Sequence, residues 1–569
     1  MSTGTRADLL AVARGDAEPD LVVTGTRVFS VFTREWLDGD VAVAGGRIAG
    51  IGRYDGGERI DGDGRWLVPG LIDGHVHVES SKLLPAEFAR VVVPRGTTAV
   101  VCDPHEIANV LGAAGVRWLL DAADGLPLRV FAMAPSCVPA SALESPRAPL
   151  GPDEMADILG HERAIGVAEV MDFPALIAGD ADVLAKVALH PHVDGHAPGV
   201  SGAALDAYAA AGIRSDHEST TWEEALDKRR RGLWVLLREA SNARNLSALL
   251  ELVRRYGPEQ CAFCTDDREP DMLVREGHID GMCRQAVGEG IAPEDALLMA
   301  TLHPARCHGL SELGAIAPGF RADLVLLDDL ESFHAGVVVA GGAVAARDGR
   351  ALPFDVASVP GWVRDSVNAA PLSDGALDLG PAADRVRVIE IVPGQLITKA
   401  AHERPAVRDG RIVADPGRDL AKLAVVERHH ATGRTGVGLV RGFGLRSGAF
   451  ASTVAHDAHN IVVTGVDDAS MAICVQRLAE LGGGIVVADH GALRGELALP
   501  VAGLLSEQPA EAVVAQLGEL GGELRAQGVE IEAPFMTLSF LALSVIPDLK
   551  LTDRGLVDVG RASVVPLVL

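Results

Sequence analysis

Eight short apolar runs, separated by segments of helical composition, occupy residues 66–289 of this chain. The runs lie at 66–72, 97–103, 128–136, 164–171, 192–196, 213–218, 233–240 and 261–267, and the helical segments lie at 105–124, 173–189, 201–211, 221–231, 244–256 and 278–289. This alternation predicts an α/β fold built on a (β/α)8 TIM-type barrel over residues 70–302. A doubly wound open sheet is the alternative, and the absence of a GxGxxG motif after the first run disfavours it.

Two Val-rich regions with Gly-Gly pairs flank this alternation. Residues 21–30 and 40–52 precede it, residues 322–329 and 336–349 follow it, and VAVAGGRIAG is echoed by VVVAGGAVAA. The echo predicts two strand groups of one sheet or sandwich, so we expect 1–69 and 303–360 to form a composite β-sandwich domain. The alternative is chance recurrence of Gly-Gly hairpins in a chain with 64 glycines.

The region after residue 360 predicts a third unit. Residues 406–415, 460–465 and 485–489 have the composition of strands, and residues 471–484 have that of a helix ending in glycines. We therefore expect residues 361–569 to form a C-terminal mixed α/β domain.

The composition disfavours several classes of protein. The 51 Lys and Arg against 78 Asp and Glu give a net charge of −27, which argues against a broad basic face for nucleic acid. No apolar run reaches the roughly 20 residues that span a bilayer, and residues 1–20 lack the apolar segment of a secretory signal. Seven cysteines, an odd number, do not indicate a disulfide framework, so we expect a cytoplasmic protein that contacts neither membrane nor nucleic acid.

The motif Asp73-Gly74-His75-Val76-His77 ends the first run. Residues two apart on a strand point to the same face, so His75 and His77 present two imidazoles at a spacing that one divalent ion can bridge. Further potential ligands end later runs, and since strand ends converge at one mouth of a barrel, we expect them to meet: Glu169, His196, His217 and Asp266. Unrelated buried polar residues are the alternative for each.

Such a set of imidazoles and carboxylates suits Mn, Fe or Zn. Two ions roughly 3.5–4 Å apart lower the pKa of a shared water towards 7, which makes a nucleophile at neutral pH. An Asp beside both, here Asp266, can take the proton of the water and pass it to a leaving group. The pattern therefore predicts hydrolysis at a polarised carbon.

Longer stretches of the chain resemble bacterial adenine deaminases, a family of the amidohydrolase superfamily. The matching stretches include VPGLIDGHVHVESS (68–81), TTAVVCDPHEIANVLG (97–112), VAEVMDFP (167–174), DGHAPGVSGAALDAYAAAGIRSDHES (194–219), CTDDREPDML (264–273), VERHHATGRTGVGLVRGFGL (426–445), VAHDAHNIVVTG (454–465) and PFMTLSFLALSVIPDLKLT (534–552). The likeness covers nearly the whole length, including a C-terminal region that most amidohydrolases lack.

The resemblance implies hydrolysis of adenine to hypoxanthine and ammonia in purine salvage, through attack of a metal-bound hydroxide on C6. It implies two divalent ions per chain, Mn or Fe first and Zn possible, and a homodimer. Its metal ligands would be His75, His77, Glu169, His196, His217 and Asp266, of which Glu169 bridges and Asp266, Glu169 and His217 are catalytic.

The alternative function is that of another cyclic amidine or amide hydrolase on the same barrel, such as a cytosine deaminase. Residues 164–171 contain no Lys, which argues against the branch that bridges its metals with a carboxylated Lys.

Other polar residues near predicted strand ends are weaker candidates for substrate contacts: Asp103, His105, Glu218 and Glu239. The competing interpretations are structural, with Asp103 capping the next helix and Arg238-Glu239 forming an internal ion pair. His456 and His459 are candidates for a second metal site or a lid, or else structural histidines. Cys261 and Cys264, a CxxC pair with no second pair at zinc-finger spacing, are predicted to be buried strand cysteines.

Overall fold

The computed structural model of the protein describes residues 3–569. The chain starts with one helix and five strands: α1 (Thr3–Arg14), β1 (Leu21–Ser30), β2 (Glu35–Ala44), β3 (Arg47–Gly52), β4 (Glu58–Asp61) and β5 (Trp66–Pro69). In the described part of the chain, no helix combines the length and apolar composition needed to cross a bilayer.

The next 237 residues, 71–307, alternate strands and helices. The strands are β6 (Leu71–Val76), β7 (Thr97–Cys102), β8 (Arg129–Ala134), β9 (Ala164–Val170), β10 (Val193–Gly195), β11 (Ser215–Asp216), β12 (Trp234–Arg238) and β13 (Cys261–Cys264). The helices are α2 (Pro85–Val92), α3 (His105–Ala122), α4 (Pro152–Leu159), α5 (Phe173–Ala178), α6 (Ala181–Val187), α7 (Gly202–Ala210), α8 (Trp222–Arg230), α9 (Leu246–Tyr256), α10 (Pro270–Glu276), α11 (Ile279–Gly288), α12 (Pro293–Ala300) and α13 (Leu302–Cys307).

These eight parallel strands close into the predicted barrel. Strands β10-β9-β8-β7-β6 form one ladder and β11-β12-β13 another. At one seam the amide of Asp266 donates to the carbonyl of His75 at 3.0 Å, and at the other Arg214 N donates to Val193 O at 3.1 Å. The helices pack their apolar stripes on this wall. In α9, for example, the buried residues Leu246, Leu249, Leu250 and Val253 recur at helical spacing.

After the barrel the chain returns to the first sheet with β14 (Leu324–Leu327), β15 (Ala335–Ala340), β16 (Ala343–Arg347) and β17 (Arg350–Ala351). Strand β14 pairs with β5, so both groups join in one nine-stranded sheet. Apolar side chains from both groups, such as Val41 and Val337, share one core. The sandwich is thus a single sheet whose two parts pack on a common core.

The C-terminal region contains β18 (Val386–Ile391), β19 (Thr398–Glu403), β20 (Ala406–Arg408), β21 (Arg411–Val413), β22 (Ala421–Val426), β23 (Thr435–Arg441), β24 (Ala449–Ser452), β25 (Ile461–Gly465), α14 (Asp468–Leu481), β26 (Gly484–Asp489), β27 (Ala492–Ala498), α15 (Ala510–Ala526), α16 (Pro534–Phe540), β28 (Leu549–Thr552), β29 (Gly555–Asp558) and β30 (Ser563–Val565). Its main sheet has the order β19-β18-β23-β22-β25-β24-β26-β27. It docks on the barrel through bonds such as Ser506 N to Lys82 O at 2.8 Å.

Three segments differ from their sequence predictions. The run 66–72 is two strands, because β5 pairs with β14 in the outer sheet while β6 pairs with β7 in the barrel. The helix predicted at 173–189 is broken at Gly179, whose φ of 82° ends α5. The strand predicted at 406–415 is the hairpin β20–β21, with Asp409 and Gly410 both at positive φ in its turn. The domain boundaries drawn at 69/70, 302/303 and 360/361 stay a prediction.

Asp73, within β6, links the first strand of the barrel to the segment that follows the last strand, β13. Its fully buried carboxylate accepts hydrogen bonds from the amides of His75 at 3.2 Å and Thr265 at 3.1 Å, and lies 2.9 Å from His278 Nε2. We expect Asp73→Ala to lower the free energy of unfolding by about 3 kcal/mol, because it leaves these buried donors unpaired. Urea unfolding measures this, with the exposed Asp55→Ala as the matched control; equal stability of the two variants would contradict it.

Candidate metal centre and its surroundings

Six predicted ligands come together at the mouth of the barrel, where the carboxyl ends of the strands meet. His75 lies in β6 and Glu169 in β9; His77, His196 and His217 directly follow strands, and Asp266 lies two residues after β13. Each is at most 4% exposed: His75, His77, Glu169, His196, His217 and Asp266. Short apolar strands therefore bury these polar side chains at one end of the barrel.

His75 and His77 face one another through ring nitrogens. Their Nε2 atoms lie 3.2 Å apart. Nδ1 of His77 lies 2.9 Å from the carbonyl oxygen of Asp103, to which it can donate, and this leaves the Nε2 lone pair directed into the site. Asp266 Oδ1 lies 3.1 Å from His77 Nε2 and 3.8 Å from His75 Nε2.

Glu169 lies between two pairs of imidazoles. Its Oε1 is 3.9 Å from Nε2 of His75 and 3.5 Å from Nε2 of His77. Its Oε2 is 2.6 Å from Nδ1 of His196 and 3.4 Å from Nε2 of His217. One carboxylate with an oxygen towards each pair is the arrangement of a ligand shared by two ions.

The charges of the site keep its two carboxylates ionised and His75 neutral. Burial, together with His217 and His77, lowers the pKa of His75 well below its ordinary value, so its imidazole is neutral. Burial raises the pKa of Glu169, but His217 and His196 outweigh it and hold that pKa well below its ordinary value. Burial likewise opposes ionisation of Asp266, but His77 and Arg238 hold its pKa well below the ordinary value. Burial lowers the pKa values of His77, His196 and His217, but neighbouring carboxylates outweigh it and raise all three, so a divalent ion would have to displace the protons of these imidazoles.

One further observation fits a metal. The ligand atoms of His75, His217 and Asp266 also lie within 4.8 Å of one another, as do those of His75, His77 and Glu169. These residues could hold divalent metal ions.

Comparison with known proteins identifies the family of this chain. A model described as the amidohydrolase family matches residues 66–359, and one described as the adenine deaminase C-terminal domain matches residues 395–563. An adenine deaminase of Nitratidesulfovibrio vulgaris (strain DP4) is 48% identical over 563 residues, covering 98% of each chain. The chain belongs to the adenine deaminase family. Within that family, the adenine deaminase of Desulfatibacillum aliphaticivorans is 45% identical over 98% of this chain and 99% of its own. That of Archaeoglobus fulgidus is 47% identical over 98% and 97%.

Arg238 is a residue of this family member that the sequence did not single out as part of the site. Its Nη1 donates to Oδ2 of Asp266 at 2.8 Å and to Glu218, and its Nη2 donates to Glu218 at 3.1 Å. The guanidinium is 2% exposed, so it fixes Asp266 from within the protein. Its position at the end of β12 could have indicated a place in the site. The sequence analysis instead paired it with the adjacent Glu239 in an internal ion pair.

The four weaker candidates for substrate contacts lie in different places. Glu218 belongs to the site through Arg238, and its Oε1 lies 3.5 Å from Nε2 of His217. Glu239 points elsewhere, since its Oε2 accepts from the amide of Leu246 at 3.2 Å and thus holds the first residue of α9. Asp103 and His105 lie beside one another at the mouth, with Oδ2 3.3 Å from Nδ1. Asp103 makes no side-chain cap for α3.

The C-terminal region also reaches the mouth of the barrel, through residues 453–460 between β24 and β25. His456 and Asp457 are at most 2% exposed and lie beside His105 and Glu106. His459 packs within its own loop, where its Nδ1 accepts from the amide of Ala455 at 3.0 Å.

Cys261 and Cys264 are buried and free, as predicted.

Proposed function

We propose that this chain hydrolyses adenine to hypoxanthine and ammonia and so serves purine salvage. Two supports are independent of each other: the near end-to-end likeness to proteins named adenine deaminase, and a buried donor set suited to hydrolysis. The observation that carries the choice of adenine is the likeness to adenine deaminases along almost the whole chain, and the position of Glu169, with one oxygen towards each pair of imidazoles, supports the hydrolytic site.

Two divalent ions would share this site. His75, His77 and Asp266 would hold one, His196 and His217 the other, and Glu169 would bridge them. When bound, such ions lower the pKa of water and polarise the carbon under attack. We infer Mn or Fe as the resident metal, with Zn as a further possibility, because imidazole and carboxylate ligands suit all three.

Asp266 would move the proton. Its Oδ1 faces His77 while its Oδ2 is held by Arg238, so the carboxylate has a fixed orientation. An ionised carboxylate in this position can take a proton from the attacking water and deliver it to the departing amine. Glu169 and His217, whose Oε2 and Nε2 atoms lie 3.4 Å apart, would complete the catalytic set as ligands that hold the metal.

Burial of the site supports the same chemistry. The six side chains are almost fully buried, and residues 453–460 of the C-terminal region lie over the mouth. Excluding bulk water strengthens the interaction of Asp266 and Glu169 with developing charge.

A panel of cyclic substrates tests this proposal. We expect purified protein loaded in turn with Mn, Fe and Zn to release ammonia from adenine, and far more slowly from cytosine and adenosine. Ammonia release is followed by a coupled enzymatic assay, with metal-stripped protein as the control. A faster rate on cytosine than on adenine would overturn the assignment of substrate while retaining the hydrolytic site.

A further inference from the structure

A second group of buried imidazoles and carboxylates lies beside the six predicted ligands. His105 and Glu106 open helix α3 of the barrel, while His456 and Asp457 come from residues 453–460 of the C-terminal region. All four are at most 2% exposed. None of them belongs to the set of six.

The four ligand atoms form a closed ring of short distances. His105 Nε2 lies 3.4 Å from Glu106 Oε1, which lies 3.5 Å from His456 Nδ1. His456 Nδ1 lies 3.6 Å from Asp457 Oδ1, which lies 3.7 Å from His105 Nε2. Four ligands held tetrahedrally at the usual zinc distances are about 3.3–3.6 Å apart. The four distances between neighbouring atoms are close to those between donors around one ion, and the ligand atoms of His105, His456 and Asp457 all lie within 4.8 Å of one another.

Each imidazole of this group has a carboxylate behind its other nitrogen. Asp103 Oδ2 lies 3.3 Å from Nδ1 of His105, and Asp267 Oδ1 lies 3.8 Å from Nε2 of His456. The ring of His456 also stacks on Phe540, with centroids 4.5 Å apart and planes 5° apart. Neither contact has hydrogen-bond geometry, so these carboxylates place negative charge beside the rings without fixing them.

The group has unsatisfied atoms and more carboxylates than imidazoles. Both carboxylate oxygens of Glu106, Oδ2 of Asp457 and Nε2 of His456 are buried without a hydrogen-bond partner among the described residues. Four carboxylates surround two imidazoles here: Asp103, Glu106, Asp267 and Asp457. Buried carboxylates are costly unless positive charge balances them, and either protonated imidazoles or a bound cation can supply that charge.

We propose that His105, Glu106, His456 and Asp457 form a third metal site, which takes a first-row divalent ion such as zinc in a ligand set of two nitrogens and two oxygens. The ion would join the barrel to the C-terminal region through side chains about 350 residues apart. Glu106 places the site next to the other two, because its Oε1 also lies 3.2 Å from Nδ1 of His77.

Counting cobalt on reconstituted protein tests this site without any substrate. Metal-stripped full-length chain is titrated with Co(II), gel-filtered and analysed for cobalt by mass spectrometry, while its visible ligand-field absorption is recorded. We expect about three ions per chain in the wild type and about two in His456→Ala and in Asp457→Asn, with loss of one tetrahedral absorption component. The exposed His490→Ala is the matched control and should keep the wild-type count.

Asp457→Asn keeps the shape of the side chain, and thermal unfolding checks that each variant is folded. A wild-type count of two, or a third ion that stays in both folded variants, would overturn the proposal. It would also be overturned if the variants keep the cobalt count but need more adenine for half-maximal rate, since these residues would then contact substrate. Absence of ammonia release bears only on the adenine proposal, because the count needs no turnover.

Discussion

We expect Asp266→Asn to lower kcat for adenine by about 10³-fold while metal content and fold stay close to those of the wild type. The amide has nearly the shape of the carboxylate but cannot take a proton from water. The backbone of Asp266 has a φ of 54°, a left-handed conformation that Asn also tolerates, so the loop should keep its path. Steady-state kinetics on metal-loaded protein, with metal counted on the same sample, measures the effect.

Asp182→Asn is the control, because that carboxylate is 66% exposed on α6. A fall in kcat with unchanged metal content would separate proton transfer from metal binding. If Asp266→Asn turned over adenine at the wild-type rate, the proton would be moved by another group, and Glu218 would be the first to test, since it shares Arg238 with Asp266.

The second large effect is expected from Glu169→Gln. An amide oxygen can replace one carboxylate oxygen, but the amide nitrogen on the other side carries no lone pair for a metal. Because Oε1 faces His75 and His77 while Oε2 faces His196 and His217, both ions are affected. We expect metal affinity to weaken by more than roughly 100-fold and turnover to be lost with it.

Metal content after dialysis against a weak chelator measures this prediction, together with the rate on adenine. Glu162→Gln, at an exposed position just before β9, is the matched control. A variant with full metal content and wild-type turnover would show that Glu169 bridges nothing. Full metal content with lost turnover would instead move Glu169 from binding to catalysis.

Local patterns predicted much of the fold. The eight apolar runs correspond to the barrel strands because a buried parallel strand is continuously apolar, as in TTAVVC of β7. The composition of such a run does not show which sheet it joins, so the sequence predicts a single strand over 66–72. Only the pairing of β5 with β14, more than 250 residues away, separates it from β6.

The candidate site could likewise be predicted from the sequence only in part. Positions at strand ends suffice to bring His75, Glu169 and His217 together, since barrel geometry alone does this. Side-chain direction in the loops is not encoded so simply, and Glu239, expected near the substrate, turns to the start of α9. His456 and Asp457 could not be placed from sequence, because their position depends on docking of the C-terminal region against the barrel.

The most direct measurement of the proposed chemistry is the reaction of adenine in water enriched in oxygen-18. From metal-loaded wild-type protein we expect hypoxanthine and ammonia in equal amounts, with one heavy oxygen in each hypoxanthine. The Asp266→Asn variant should form this product only at its much lower residual rate. Hydrolysis at C6 requires that label because water supplies the new oxygen. Folded, metal-loaded protein that leaves adenine unchanged, or forms hypoxanthine without the label, would contradict hydrolytic deamination by this site.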